Sequence, residues 1–327
     1  MIDFYFNPQY AKVYKHIDGD SDTFIFECVY GKITNTYILR EIKWKINSET
    51  YYDIVTPYGY GGPYAENVTD IIKLMEEYQK AFTEYCLAHH IICEFIRFHL
   101  FDNVDVREHF YGETIKLLDN VVVNTTGDFE NDIWNRYDRK VRKNVRKALN
   151  NELSIVREDN LNHIDEFLNI YDLTMDRNNA QEYYYFKKSY FEDISNLIPN
   201  NFMYFHVFKG DVMVSTELVL KSEKYAYSFL GGTLSEYYEF RPNDYLKNEI
   251  IKWCNENGIQ KFILGGGYHL DDGIYKYKRC FTPDEDVPFW IGRSIFNQEV
   301  YDKMVEARKA EDSSFNGESS YFPLYRC

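Results

Sequence analysis

The chain has 327 residues, too many for one ordinary hydrophobic core, and its 45% hydrophobic content is ample for two. A formal net charge of −15 excludes nucleic-acid binding driven by whole-protein charge and leaves that task to a local basic patch. The six cysteines (Cys28, Cys86, Cys93, Cys254, Cys280 and Cys327) include no Cys-x-x-Cys pair, so neither a zinc site nor a disulfide framework is indicated, and the expectation for metals is none.

In chain order, the N-terminus MIDFYFNPQY lacks the basic and then apolar layout of a signal peptide, and no apolar run reaches membrane-spanning length. A cytoplasmic protein without a transmembrane segment is expected. Thr23–Tyr30 and Thr36–Ile42, either side of Gly31-Lys32, form a hairpin signal. Tyr51–Val55 is a third strand, entering the irregular loop Pro57–Pro63 with Tyr58, Gly61 and Gly62. A helix is expected from an N-cap at Thr69 to His90, with Ile71, Met75, Tyr78, Phe82 and Tyr85 on its apolar face; Glu94–Phe98 is a further strand.

The same order returns in the second half. Phe202–Phe208 and Val212–Leu220 flank the turn Lys209-Gly210-Asp211, and Tyr225–Leu230 enters a second glycine loop at Gly231-Gly232. A helix opens near Asn243 behind Pro242, Gly258 closes it, and Lys261–Leu264 is the final strand. Hairpin, strand, special loop, helix and strand, used twice, predict two similar α/β (α+β) domains. Each would be a mostly antiparallel mixed sheet flanked by helices, with a cleft between the two as the natural pocket. The boundaries are 1–133 for an N-terminal domain, 134–298 for a basic linking helix with a C-terminal domain, and 299–327 for a surface helix and frayed tail.

Between the halves, Trp134–Leu153 carries seven basic residues from Arg136 to Lys147 (among them Arg139, Arg142 and Arg146) against one acid, Asp138. Val141, Val145, Ala148 and Leu149 form its apolar stripe. A one-signed amphipathic helix points to an anionic partner: phosphate, pyrophosphate or an RNA backbone. Helices are also expected over Leu161–Asp176 and Glu182–Ile198. The stretch Phe262–Phe281, FILGGGYHLDDGIYKYKRCF, puts Gly265, Gly266 and Gly267 after a buried strand, then two acids, then Tyr277, Lys278 and Arg279. Backbone without Cβ atoms approaches a ligand closely, and the phenol and cations stand beside that opening.

The basic helix ending in Arg-Lys-Ala, the Arg177 segment with its tyrosines and the terminal Gly-Gly-Gly…Tyr-Lys-x-x-Phe pattern together resemble the Fem family of cell-wall peptidyltransferases, over about Thr23 to Ile291. That resemblance implies two tandem GNAT-like (N-acetyltransferase-type) domains and N-acyl transfer. The group moved is aminoacyl or acyl, from an activated carrier to an amine of a cell-envelope or polysaccharide precursor such as a peptidoglycan or sugar-nucleotide precursor. No cofactor would be tightly bound; aminoacyl-tRNA or acyl-CoA would be the co-substrate, with charged tRNA a candidate partner. The family's Phe-Lys pair falls on Tyr277-Lys278, and its Pro-Arg-Gly-Pro loop on Pro57–Pro63, without the arginine. Its strand Arg-x-Asp-Pro falls on Arg97 to Leu100, with His99 in place of the acid. The family's helical hairpin arm has no counterpart, and the glycine after its lysine is Thr282.

The catalytic candidates are thus Lys278 for the oxyanion, His99 as base and Arg177 for a phosphate or carboxylate. Binding candidates are Gly61, Gly62, Gly265, Gly266, Gly267, Tyr277, Tyr227, Tyr58, Arg97, Trp134, Arg139, Arg142 and Arg146. Two alternatives stand beside this reading: an acyl-CoA-dependent acetyltransferase acting on an amino sugar or small amine, and a non-catalytic module binding an anionic glycan or RNA. Against the first, Pro242 offers no amide to a pyrophosphate where a helix should open.

Overall fold

The computed structural model describes residues 2–267, 272–283, 286–315 and 317–327. Its strands are β1 (Asp20–Cys28), β2 (Gly31–Glu41), β3 (Tyr52–Val55), β4 (Tyr64–Glu66), β5 (Ile91–Arg97), β6 (Glu113–Lys116), β7 (Asn120–Asn124), β8 (Leu153–Glu158), β9 (Phe202–Lys209), β10 (Val212–Lys221), β11 (Tyr225–Thr233), β12 (Lys261–Gly265), β13 (Asp286–Val287) and β14 (Trp290–Ile295). The helices are α1 (Pro8–Lys12), α2 (Ile71–Ala88), α3 (Val104–Glu108), α4 (Arg139–Asn150), α5 (Ile164–Arg177), α6 (Lys188–Leu197), α7 (Pro242–Glu256), α8 (Gly273–Arg279) and α9 (Gln298–Glu311).

Two compact units result: Tyr5–Leu117 with Phe289–Cys327, here the first unit, and Met1–Phe4 with Leu118–Pro288, the second. Each holds one seven-stranded sheet, ordered β1-β2-β3-β5-β14-β6 with β4 beside β2 in the first, and β13-β7-β12-β11-β10-β9-β8 in the second. In each sheet one strand pair is parallel, β3 with β5 and β11 with β12; the other pairs are antiparallel. A helix crosses over within each parallel pair, α2 in the first and α7 in the second, as parallel neighbours require. The doubled order expected from sequence is therefore present.

The units do not follow the boundaries at 133/134 and 298/299. β7 precedes the basic helix yet pairs with β12, and β14 follows the second half yet pairs with β5 and β6. The apolar run Val121–Val123 is wholly buried and needs a central place; the edge of β12 supplies it. Chain proximity does not reveal such non-local pairing.

Local details also depart from the sequence expectations. The first hairpin turns at Val29-Tyr30, because Cys28 already pairs with Gly31. Asp70 caps α2 by accepting from the Lys73 amide at 3.1 Å, while Thr69 donates to the Val29 carbonyl. Leu149 of the basic helix is exposed; Val141, Val145 and Ala148 make its buried stripe. Gly231 and Gly232 lie inside β11, paired with Glu217 and Thr216. A Cβ on Gly232 would stand 2.4 Å from Thr174 Oγ1 and 2.7 Å from the Ile170 carbonyl, so the glycine is needed for α5 to press on the strand.

The C-terminal segment is not frayed. Val300, Tyr301, Met304 and Val305 of α9 are buried, and so is Tyr325. Asp53, with no exposed surface, accepts from Tyr325 Oη at 2.9 Å and Arg326 Nε at 2.6 Å, and pairs with Arg40 from β2. A buried carboxylate is tolerable only when so neutralised. Arg326→Ala removes one of its two cations and should lower stability by about 1–3 kcal/mol in urea denaturation; an unchanged midpoint would show the tail to be dispensable.

Candidate functional site

The second unit gathers the chemistry. β11 and β12 pair in register at Tyr225 with Lys261, Ala226 with Phe262 and Tyr227 with Ile263, and there the ladder stops although β11 runs on to Thr233. A bulge contributes to the parting: Val219 of β10 faces Ser228 while Leu218 faces Leu230, leaving Phe229 as the extra residue. A bulge of this kind bends its strand and re-aims side chains. Parallel strands that separate at their carboxyl ends leave a place for a ligand.

Ser228, the first residue of β11 past the ladder, accepts from Lys247 Nζ at 2.7 Å. That same ammonium, carried on α7, reaches both carboxylate oxygens of Glu217 on β10, at 2.6 and 2.5 Å. Lys247 and Glu217 are both buried, so each neutralises the other in a place neither could occupy alone. From α8, Lys278 Nζ donates to the Gly266 carbonyl at 2.6 Å, just past the end of β12. Gly265 has φ +80°, the left-handed region, which turns the chain so that the Gly266 carbonyl faces the lysine. On Gly267 a Cβ would lie 2.8 Å from Tyr275 Cβ and 2.9 Å from Asp272 Oδ2, so that glycine is required by close packing, whereas Gly266 would meet only ordinary contacts.

The Lys278 ammonium is pushed down to about 8, chiefly by burial and next by the like charge of Lys247, with Glu217 and Asp272 pulling the other way. Tyr277, half-buried, accepts from Asn243 Nδ2 at 3.0 Å and packs edge-on against Phe281. Burial first, then the acids Asp244 and Glu217, hold its phenol well above the usual range, so its proton stays. Sequence inspection singled out Lys278, Tyr277 and the glycines and missed Glu217, Lys247 and Ser228. Glu217 is followed by the apolar run Leu218–Leu220 in β10, a buried-acid signal; Lys247 sits between Leu246 and Ile250 in the sequence of α7.

The remaining candidates are placed as follows. Arg177, in the last turn of α5, donates to the Thr233 carbonyl and to Thr174 Oγ1, each at 3.3 Å, and lies over the Tyr238 ring. Tyr227 is buried and donates to Asp3 at 3.0 Å, a core contact rather than a pocket lining. Arg142 donates to the carbonyls of Asn135 and Tyr137 at 2.6 and 2.8 Å and so holds the turn before α4 together. Arg146 stacks over Trp134 at 5.6 Å. Arg139 is exposed, as are Lys140, Lys143 and Lys147. Arg142 therefore has a structural duty that the basic pattern did not disclose. The second acid of the glycine stretch, Asp272, caps α8 through the Ile274 amide at 2.7 Å; the first, Asp271, lies outside the described residues.

In the first unit, His99 is 3% exposed, and its Nδ1 accepts from the amides of Phe101 and Asp102 at 3.3 and 2.9 Å. Burial pushes the imidazole down to about 3. With Nδ1 accepting and Nε2 carrying the proton, the ring fixes a turn and offers no basic lone pair, against the expectation of a general base. Arg97 donates to the Thr56 carbonyl at 3.2 Å and lies over Phe95. The Pro57–Pro63 loop is closed by its own contacts: Tyr10 Oη donates to the Tyr58 carbonyl at 2.6 Å, and the His99 amide donates to the Gly61 carbonyl at 3.2 Å. At Gly62, φ is +100° and a Cβ would meet Ile96 Cγ2 at 2.9 Å.

Residues 135–279 match the family model described as "Acetyltransferase (GNAT) domain". Among solved structures, FemX is similar at TM-score 0.68 and 14% identity, covering 90% of this chain and 92% of its own. The C-terminal domain of a putative lysylphosphatidylglycerol synthetase from Agrobacterium fabrum is similar at TM-score 0.57 and 13% identity, covering 94% and 91%. A tandem GNAT protein from the clavulanic acid biosynthesis pathway is similar at TM-score 0.50 and 7% identity, covering 85% and 83%. No curated protein matches the sequence. Over residues 135–279 the chain carries a GNAT-type domain, and the protein is an acyltransferase. Its fold is Fem-like, two mixed sheets in tandem GNAT arrangement. Among the described residues no helix is long and apolar enough to cross a membrane.

Glu217→Gln strands Lys247 as a buried unpaired cation and should cost about 3–5 kcal/mol in chemical denaturation. The double change Glu217→Leu with Lys247→Met should cost far less. Equal losses in both would show that the pair is not a mutually compensating unit.

Proposed function

We propose that the protein transfers an aminoacyl group from an activated carrier, aminoacyl-tRNA in this reading, to an amine of a cell-envelope or polysaccharide precursor. The observation that carries the proposal is the Lys278 ammonium, fixed on the Gly266 carbonyl at the end of β12. The acceptor nitrogen attacks the acyl carbon, a C–N bond forms, the ester C–O bond to the carrier breaks, and the nitrogen's proton leaves with the carrier hydroxyl. Negative charge develops on the acyl oxygen during attack. Lys278, with N–H groups beyond the one given to Gly266, supplies a positive donor there, where low dielectric strengthens it. Tyr277, kept protonated, is a second donor, and Arg139, Lys143 and Lys147, four residues apart along exposed α4, suit the carrier's phosphates.

The Fem-like fold and the likeness to a putative lysylphosphatidylglycerol synthetase domain support an aminoacyl donor. The start of α7 supports it too. Its first residue is Pro242, without an amide, and Asp244 is buried in its first turn, an acid where a pyrophosphate would need the helix's positive end. Acyl-CoA is the second reading, favoured by the acetyltransferase description of the matching family model.

Labelled aminoacyl-tRNA should bind at low salt, weaken steeply as salt rises, ignore added CoA and be lost in the triple variant Arg139→Ser, Lys143→Ser, Lys147→Ser. Displacement by CoA would move the protein to the acyl-CoA reading. Lys278→Ala should lower turnover by about 100-fold or more without unfolding the chain. The pH sign follows from the depressed lysine: folded protein holds fewer Lys278 protons than unfolded between about 8 and 10.5, so stability contributed here rises with pH across that window, while the catalytic cation is lost. Turnover should therefore fall as pH rises through about 8, with the fold intact; a rate flat to pH 10 would remove Lys278 from the mechanism.

A further inference from the structure

Away from that site, the far edge of the second sheet carries a cluster that acyl transfer does not use. Glu158 ends the edge strand β8, His206 lies on its neighbour β9, and His163 precedes α5. β8 and β9 pair antiparallel, with Val156 opposite His206 and Glu158 opposite Tyr204, so Glu158 and His206 are diagonal neighbours on one face. The four-residue connection after Glu158 brings His163 over the same spot.

Glu158 Oε2 lies 2.9 Å from His163 Nδ1, and Oε1 lies 3.3 Å from His206 Nε2. One ligand atom from each of the three residues falls within 4.8 Å of the others, the one such group of histidine, cysteine or acid side chains among the described residues. In a tetrahedral site with metal–ligand bonds near 2.0–2.1 Å, ligand atoms stand about 3.3 Å apart. Whichever carboxylate oxygen binds, its spacing to one ring nitrogen is already of that size, and the other two spacings, at most 4.8 Å, need to close by no more than about 1.5 Å.

The surroundings also suit a cation. Glu158 is 9% exposed and His206 is wholly buried, and the ion-pair partners of Glu158 among the described residues are these two imidazoles. Glu158 presents its two oxygens to these rings, and Oε1 also accepts from the His163 backbone amide at 3.1 Å. The other ring nitrogen of His206, Nδ1, stands 2.7 Å from Thr216 Oγ1, the outer hydrogen bond that orients a metal-bound imidazole. His163 is half-buried, which leaves an entry path and room for a water as fourth ligand.

We propose that Glu158, His163 and His206 bind one divalent transition-metal ion, Zn²⁺ by the chemistry of two imidazoles and a carboxylate. The bound ion fastens β8 and the start of α5 to β9. α5 packs on Gly232 of β11 and ends in Arg177, so the ion steadies the helix that borders the acyl-transfer strands.

The test titrates the full chain, freed of metal by chelator, with Zn²⁺ in a calorimeter and with Co²⁺ by visible absorption. One equivalent should bind, with a tetrahedral Co²⁺ band and a raised thermal midpoint. His163→Ala, whose half-exposed ring leaves the core intact, and Glu158→Gln should each weaken that equivalent by at least about 100-fold, and Thr216→Val by about 10–100-fold. No saturable equivalent in the wild type would overturn the proposal. So would binding that His163→Ala and Glu158→Gln leave unchanged, since the ion would then sit on other imidazoles or thiols of the chain.

Discussion

β11 and β12 stay paired for three residues and then part, and the catalytic chemistry proposed for the second unit depends on what occupies that parting. Unpaired strand backbone inside a protein needs partners, and polar side chains brought in to supply them must satisfy one another. Lys247 does so by joining Glu217 of β10 to Ser228 of β11, and Lys278 by capping the Gly266 carbonyl past β12. The first lysine is neutralised by its carboxylate, and the second has no carboxylate of its own within bonding distance in the described residues. On that asymmetry rests the proposal that Lys247 is structural and Lys278 chemical. The asymmetry is also why the like charge of Lys247 helps to depress Lys278.

The first unit shows the same architecture put to structural ends. Its equivalent of β12, β5 running into His99, ends in a buried imidazole that satisfies backbone amides, and Arg97 is spent on the Thr56 carbonyl. Gly59 and Gly62 of the Pro57–Pro63 loop are required by close packing against Tyr5 and Ile96. The unit is then locked by the chain's end, through the Asp53 carboxylate that takes Tyr325 and Arg326 together.

Legibility in the sequence followed the range of the interaction. The two-fold order of hairpin, strand, helix and strand was visible because periodicity and turn residues are local signals. The mixed, mostly antiparallel sheets followed from it, whereas Tyr277-Lys278 was singled out by its place after the glycines of the stretch Phe262–Phe281. The exchange of β7 and β14 between units was not visible, because the pairing partners lie more than a hundred residues away. Glu217 and Lys247 were hidden for a related reason: each looks like a stray charge until the two are brought together. Gly231-Gly232 misled in the opposite direction, since a glycine pair that permits a helix to touch a strand has the same spelling as a loop. Arg142 shows the limit of counting charges, as one member of the basic run holds backbone carbonyls while its neighbours face solvent.

The most direct test of this account is the titration of the Lys278 side-chain amine by nitrogen-resolved NMR, in the wild type and in Lys247→Met. The account predicts a midpoint near 8 in the wild type, and a higher one once the neighbouring cation is gone and Glu217 is left facing Lys278. A wild-type midpoint at the ordinary lysine value, about 10.4, would contradict it. Such a value would mean that Lys278 is a solvated surface cation and that the parting of β11 and β12 holds no buried reactive charge.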